Sequence, residues 1–193
     1  PLSYPLYPSP QPPPLMIIDF HTHIFPDTFR DRREELVERD ATLGELYADP
    51  KAKMATAEDL LRAMDKDGVD RSVVMGVGWT DQGLAREAND YIIESVRRYP
   101  ERLVGFAGVN PAWGERAAHE AERCAQAGLK GVGELHPDTQ AFDLGDERTM
   151  APLMVVAREH GLVVTTHSSE PVGHSYPGKG TTRPEVLWRF IRS

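Results

Sequence analysis

From Leu15 onward the chain alternates two patterns. Short runs of β-branched and other apolar residues are separated by longer stretches with apolar positions three and four residues apart. The runs Leu15–Phe20, Arg71–Val77, Arg102–Val109, Leu129–Leu135 and Leu162–His167 predict strands. Helices are predicted near Thr28–Arg39, Ala57–Lys66, Asp81–Tyr99, Glu115–Ala127, Glu147–His160 and Pro184–Arg192. Thr56-Ala57-Glu58-Asp59 reads as a capping box, Gly68, Gly128 and Gly161 stand where left-handed helix ends belong, and Pro100 stops the Asp81–Tyr99 helix. Strands alternating with helices imply a parallel sheet with right-handed crossovers. The runs are apolar on both parities, as in Leu162-Val163-Val164, which suits strands covered on both faces. A doubly wound open sheet and a (β/α) barrel both satisfy this pattern. The lack of Gly-x-Gly-x-x-Gly after the first run weighs against the dinucleotide-binding version of the open sheet.

Composition narrows the class. The chain has 193 residues, 40% of them apolar, enough to bury the core of one domain. A net charge of −8 argues against nucleic acid or an anionic membrane as the main partner. No apolar run approaches the roughly 20 residues of a membrane span. The single cysteine, Cys124, rules out an internal disulfide and a cysteine zinc cage, and fits a reducing, cytoplasmic setting. It falls in a helical pattern, where a buried thiol is expected rather than a reactive one. Pro1–Pro14 is dense in proline, uncharged, and lacks the basic and apolar regions of a secretory signal. The expected division is an extended, disordered tail over residues 1–15 and a (β/α) domain over 16–193, with Met16 as the natural start.

The chemistry begins at Ile17-Ile18-Asp19-Phe20-His21-Thr22-His23. Two histidines two apart on a strand share a face, roughly 7 Å apart along the chain. Two such imidazoles can share one divalent ion, and Asp19, of the same parity, can orient or supplement them. His-x-His alone is weak evidence, but the other histidines add to it. His119 and His160 lie in helical stretches and read as structural or solvated. His21, His23, His136, His167 and His174 all lie at or just past strand ends. Glu134 and His136 end the fourth run on one parity, and His167 ends the fifth. His136 and His174 are equally well read as structural histidines. Gly173–Lys179 nearly spells a phosphate-binding loop, but Gly180 replaces the hydroxyl residue and Pro177 disrupts the cradle, so nucleotide binding is rejected.

The first-run signature, together with His167-Ser168-Ser169-Glu170-Pro171-Val172-Gly173-His174 and Tyr176-Pro177-Gly178-Lys179-Gly180, resembles the amidohydrolase superfamily, specifically its amidohydrolase-related, or type 2, branch. The resemblance runs from about Met16 to the C-terminus and implies a (β/α)8 barrel binding one or two divalent ions. It implies that His21, His23 and His167 bind the metal directly. Glu134 falls where other branches place a bridging carboxylated lysine or a glutamate, so a second-metal ligand and an ordinary ion-paired carboxylate both stay open. Zinc is the first choice of ion, since three imidazoles and an open position suit it, with manganese and iron as alternatives.

A full barrel has eight strands and about 250 residues. Five are predicted here, so the expected form is a truncated barrel of about five βα units. The residues that the family draws from its sixth and eighth strands have no counterpart in this sequence. Open strand edges rich in valine, leucine and isoleucine predict poor solubility or pairing with a second copy. The expected activity is hydrolysis of an amide, ester or lactone by metal-activated water, with Glu134 and Asp19 placed to help move its proton. His174, Tyr176 and Lys179 are expected to meet an acidic or carbonyl-containing small substrate. A non-oxidative decarboxylase of aromatic or muconate-like acids, and a silent fragment, are the rival readings.

Overall fold

The computed structural model describes residues 15–169 and 172–192. The proline-rich stretch over 1–14 lies outside the described residues. Five strands, β1 (Ile18–His23), β2 (Arg71–Met75), β3 (Leu103–Ala107), β4 (Gly131–Leu135) and β5 (Val163–Thr166), form one parallel sheet in the order β1-β2-β3-β4-β5. Between and after them run α1 (Asp27–Asp31), α2 (Arg33–Arg39), α3 (Ala41–Tyr47), α4 (Ala57–Asp67), α5 (Gln82–Arg98), α6 (Glu115–Gln126), α7 (Glu147–His160) and α8 (Pro184–Arg192). Strands neighbouring in sequence also neighbour in space and each crossover carries helix, as in an arc of a (β/α) barrel with five βα units.

Local chemistry explains most of the boundaries. Thr56 and Asp59 form the predicted capping box at the start of α4, and Gly68 ends that helix at φ +71°. Asp81 caps α5 by accepting the Leu84 N–H. The stretch expected as one helix over Thr28–Arg39 is broken at Arg32, which adopts φ −102° and ψ 13°. The additional helix α3 follows directly, capped by Asp40 through the Leu43 N–H. Asp40 is fully buried and also accepts the N–H groups of Thr80 and Asp81, so one carboxylate ties α3 to the loop before α5. The first strand starts later than expected and includes both histidines.

The main core lies between the sheet and the helices, built around Val74, Ile92, Leu103, Ala121, Val132 and Leu153. A second cluster of Phe25, Phe29, Leu36, Leu43, Met54 and Trp79 packs the segment after β1 against the residues that follow β2 and the start of α5. Trp79 meets both Phe25 and Phe29 edge-on, at 6.4 and 6.0 Å. Val73, Met75 and Phe106 form a third group, on the opposite face of the sheet from Val74. The outer strands β1 and β5 are much less buried than the three between them.

Two irregularities aim the strand ends. Pairing of β1 with β2 shifts register between Asp19 and Thr22, and that of β4 with β5 between Val132 and Leu135. Val132 and Leu135 both join the main core, although residues three apart on a regular strand face opposite ways. One alternation is therefore lost between them, which frees Glu134 from the helix side. The residue before it is Gly133, at φ +136°, where a Cβ would collide with the Thr165 carbonyl.

Candidate metal centre

At the C-terminal ends of the strands, β1 and β4 bring together His21 Nε2, His23 Nε2 and a Glu134 carboxylate oxygen, all within 4.8 Å of one another. His21 Nε2 is 3.1 Å from His23 Nε2 and 3.2 Å from Glu134 Oε2, and His23 Nε2 is 3.7 Å from that same oxygen. His23 Nδ1 lies 3.1 Å from the Gly76 carbonyl, which can only accept, so Nδ1 carries the proton and Nε2 presents a lone pair to the cluster. Burial lowers the pKa of His23 and keeps its ring neutral. The hydrogen bond to Glu134 raises that of His21. Burial opposes ionisation of Glu134, yet hydrogen bonds from His167 and His21 outweigh it and hold the carboxyl well below the usual carboxylate range.

Two ring nitrogens and a carboxylate this close need a proton or a cation between them. A proton on His21 Nε2, donated to Glu134 or His23, is one such species, and a divalent cation is another. Two imidazoles with one carboxylate are a donor set suited to zinc, manganese or iron, so the residues present fit a divalent ion.

The other expected site residues fall around this cluster in different ways. His167 is not one of the three convergent donors. Its Nδ1 lies 3.1 Å from Glu134 Oε1, and its Nε2 lies 3.0 Å from the Lys179 carbonyl. Both partners are acceptors, so the ring serves both only when doubly protonated, and the bond to Glu134 raises its pKa accordingly. Asp19 turns back to accept the His21 N–H at 3.2 Å rather than joining the donors. His136 is buried, stacks on His167 with ring centroids 4.4 Å apart, and donates from Nε2 to the Gly178 carbonyl at 3.2 Å. In the loop after β5, Lys179 Nζ bonds the carbonyls of Val172 and His174 and lies over the Tyr176 ring. His174 is exposed beside Tyr176, with ring centroids 5.9 Å apart. These three loop side chains thus contact one another's segment, not the metal-type donors. His119 and His160 are exposed on α6 and α7.

Tyr47 was not among the expected residues. It ends α3, packs edge-on against Phe25 at 5.0 Å, and its phenol is pushed up to about 12, first by burial and then by the charge of Glu134. The sequence carried one signal for it: Asp40 followed by an Asx-capped turn, which a single long preceding helix obscured.

The Amidohydrolase family model matches residues 18–187 of the sequence. The chain belongs to the amidohydrolase family. No curated protein sequence matches it. Among solved structures, it is similar to 5-carboxyvanillate decarboxylase from Sphingomonas paucimobilis (TM-score 0.68, 20% identity), covering 92% of this chain and 62% of that one. The corresponding enzyme from Novosphingobium aromaticivorans, complexed with manganese and 4-hydroxy-3-methoxy-5-nitrobenzoic acid, gives 0.63 at 20% identity over 80% of this chain and 51% of that one. A 4-oxalomesaconate hydratase from Rhodopseudomonas palustris gives 0.57 at 19% identity, over 79% and 52%. At such identities the likeness is one of fold. This amidohydrolase chain spans about half to three fifths of the length of those structures.

Proposed function

We propose that this chain carries the metal-binding part of a metal-dependent amidohydrolase-family enzyme that acts on a small carboxylate or carbonyl substrate. The observation that supports this most is the convergence of His21, His23 and Glu134. His167 completes the set by turning Nδ1 to the far oxygen of Glu134. A bound divalent ion there would polarise a substrate oxygen or lower the pKa of a water. The chain's own residues hold the donors in register: Gly76 fixes the tautomer of His23, and Glu134 links β1 to β5. Tyr47 brings a phenol, kept protonated by burial, to the same side.

Hydrolysis of an amide, ester or lactone is the first reading, with Asp19 and Glu134 as candidate proton carriers. Glu134 stays ionised so strongly that it serves better as a ligand than as a base. Likeness of fold supports a second reading, decarboxylation of an aromatic acid, the reaction named for the two carboxyvanillate enzymes. Elemental analysis of purified protein, with His21→Ala and His23→Ala beside it, tests the metal site. We expect bound zinc, manganese or iron in the parent and its loss in both variants; equal metal content in all three would sink the reading. Carbon dioxide release from hydroxybenzoates, run against ester, amide and lactone hydrolysis, separates the two reactions.

A further inference from the structure

The loop from Val172 to Thr182 lies across the histidines, and two successive carbonyls of it grip them. Gly178 O accepts from His136 Nε2 at 3.2 Å, and Lys179 O accepts from His167 Nε2 at 3.0 Å and from the Ser169 hydroxyl. The loop is tied down at both sides. From α3, Glu45 Oε1 accepts the Gly178 N–H at 2.6 Å, while Leu46 fills the space where a Cβ on Gly178 would stand. After β4, Asp138 accepts from the Thr181 N–H at 2.8 Å and from its hydroxyl at 2.5 Å. Gly178 is at φ +80°, a conformation that lets the peptide after it direct its carbonyl inward.

A histidine that donates one ring nitrogen to a fixed carbonyl has its ring orientation set, and with it the group that the other nitrogen faces. We propose that Glu45 is a positioning residue: by holding the Gly178 amide it keeps the Lys179 carbonyl on His167 Nε2, so that His167 Nδ1 faces Glu134. Nothing in the Glu45 side chain reaches the metal-type donors; its effect passes through two residues of backbone. The consequence for metal affinity rests on the function proposed above, but the consequence for the ring does not. Asp138 acts in the same sense from the other end of the loop.

The full chain provides the test, with Glu45→Ala, Asp138→Ala and the conservative Glu45→Gln, which keeps an acceptor for the Gly178 N–H. In chelator, ¹⁵N-imidazole NMR should show a proton fixed on His167 Nε2 in the parent and in Glu45→Gln. Glu45→Ala and Asp138→Ala should lose that signal, and trypsin should cut faster after Lys179 in both. With Co²⁺ as the probe, Glu45→Ala should weaken binding about tenfold and alter the visible spectrum, with Glu45→Gln near the parent. An unchanged His167 signal and unchanged cleavage in Glu45→Ala would overturn the proposal. A parent chain that binds no Co²⁺ would instead overturn the metal reading, leaving the NMR and cleavage results to judge Glu45.

Discussion

The middle and the flanks of the sheet are built to different standards. In β2, β3 and β4 nearly every side chain is buried, whereas β1 is exposed over Ile18–His21 and β5 is at most half-buried. Ile18 and Phe20 keep 51% and 53% of their surface in water, and Val163 keeps 47%, while Val74 and Ile92 keep none. The site is nevertheless drawn largely from the flanks: the donors His21 and His23 come from β1, and His167, which bonds the third donor Glu134 of β4, comes from just after β5. Stability therefore resides in the middle and chemistry at the margins, coupled by one carboxylate. Residues at strand ends can be tuned for charge and geometry because the packing beside them does the work of folding.

The contrast breaks most visibly by cutting into the middle. Ile92→Ala removes a fully buried side chain from α5 and should cost about 2–5 kcal/mol, measured by urea unfolding. A loss under 1 kcal/mol would show that this core is not tightly packed. The coupling carboxylate comes next. Glu134 titrates below its ordinary 4.5, so the stability it lends is present above pH 4.5 and disappears as pH falls through its folded value. His21 and His167 titrate above their ordinary 6.5, so theirs is complete below 6.5 and disappears as pH rises through their folded values. In chelator, the melting temperature should therefore peak between pH 4.5 and 6.5 relative to Glu134→Gln, and the two curves should converge at either extreme. Parallel curves across the range would contradict the coupling through Glu134. The smallest effect belongs to the flank: Ile18→Ala, half in water, should change unfolding free energy by no more than about 0.5 kcal/mol. A larger loss would mean that β1 is covered by a second chain in solution.

Much of the element order was legible beforehand because its causes are local. The α7 and α8 bounds, the α4 capping box and the helix ends at Gly68 and Gly161 follow from contacts within a few residues. What the sequence did not show has a cause in common as well. Ala41–Tyr47 is too short, with Gly44 inside it, to show a helical period, and what orders it is Asp40 reaching forward to Thr80 and Asp81. Asp19 shares the parity of His21 in a regular strand, but the register shift and its bond to the His21 N–H take it out of the donor set. Lys179 and Tyr176 carry suitable chemistry, and only the folded loop shows that Lys179 Nζ bonds the Val172 carbonyl and lies over the Tyr176 ring.

By itself the sequence determined the alternating strands and helices, the family, and the histidine pair at the end of the first strand, since periodicity, caps and a contiguous signature depend on near neighbours. Only the tertiary structure decided which groups meet. Glu134 reaches His21 across 113 positions of chain, and it does so because Gly133 admits the Thr165 carbonyl and the strand loses one alternation there. The tautomer of His23 and the ring orientation of His167 rest likewise on the carbonyls of Gly76 and Lys179, which no pattern along the chain places beside them. A hydrogen bond between distant residues exists only once packing has brought its two ends together.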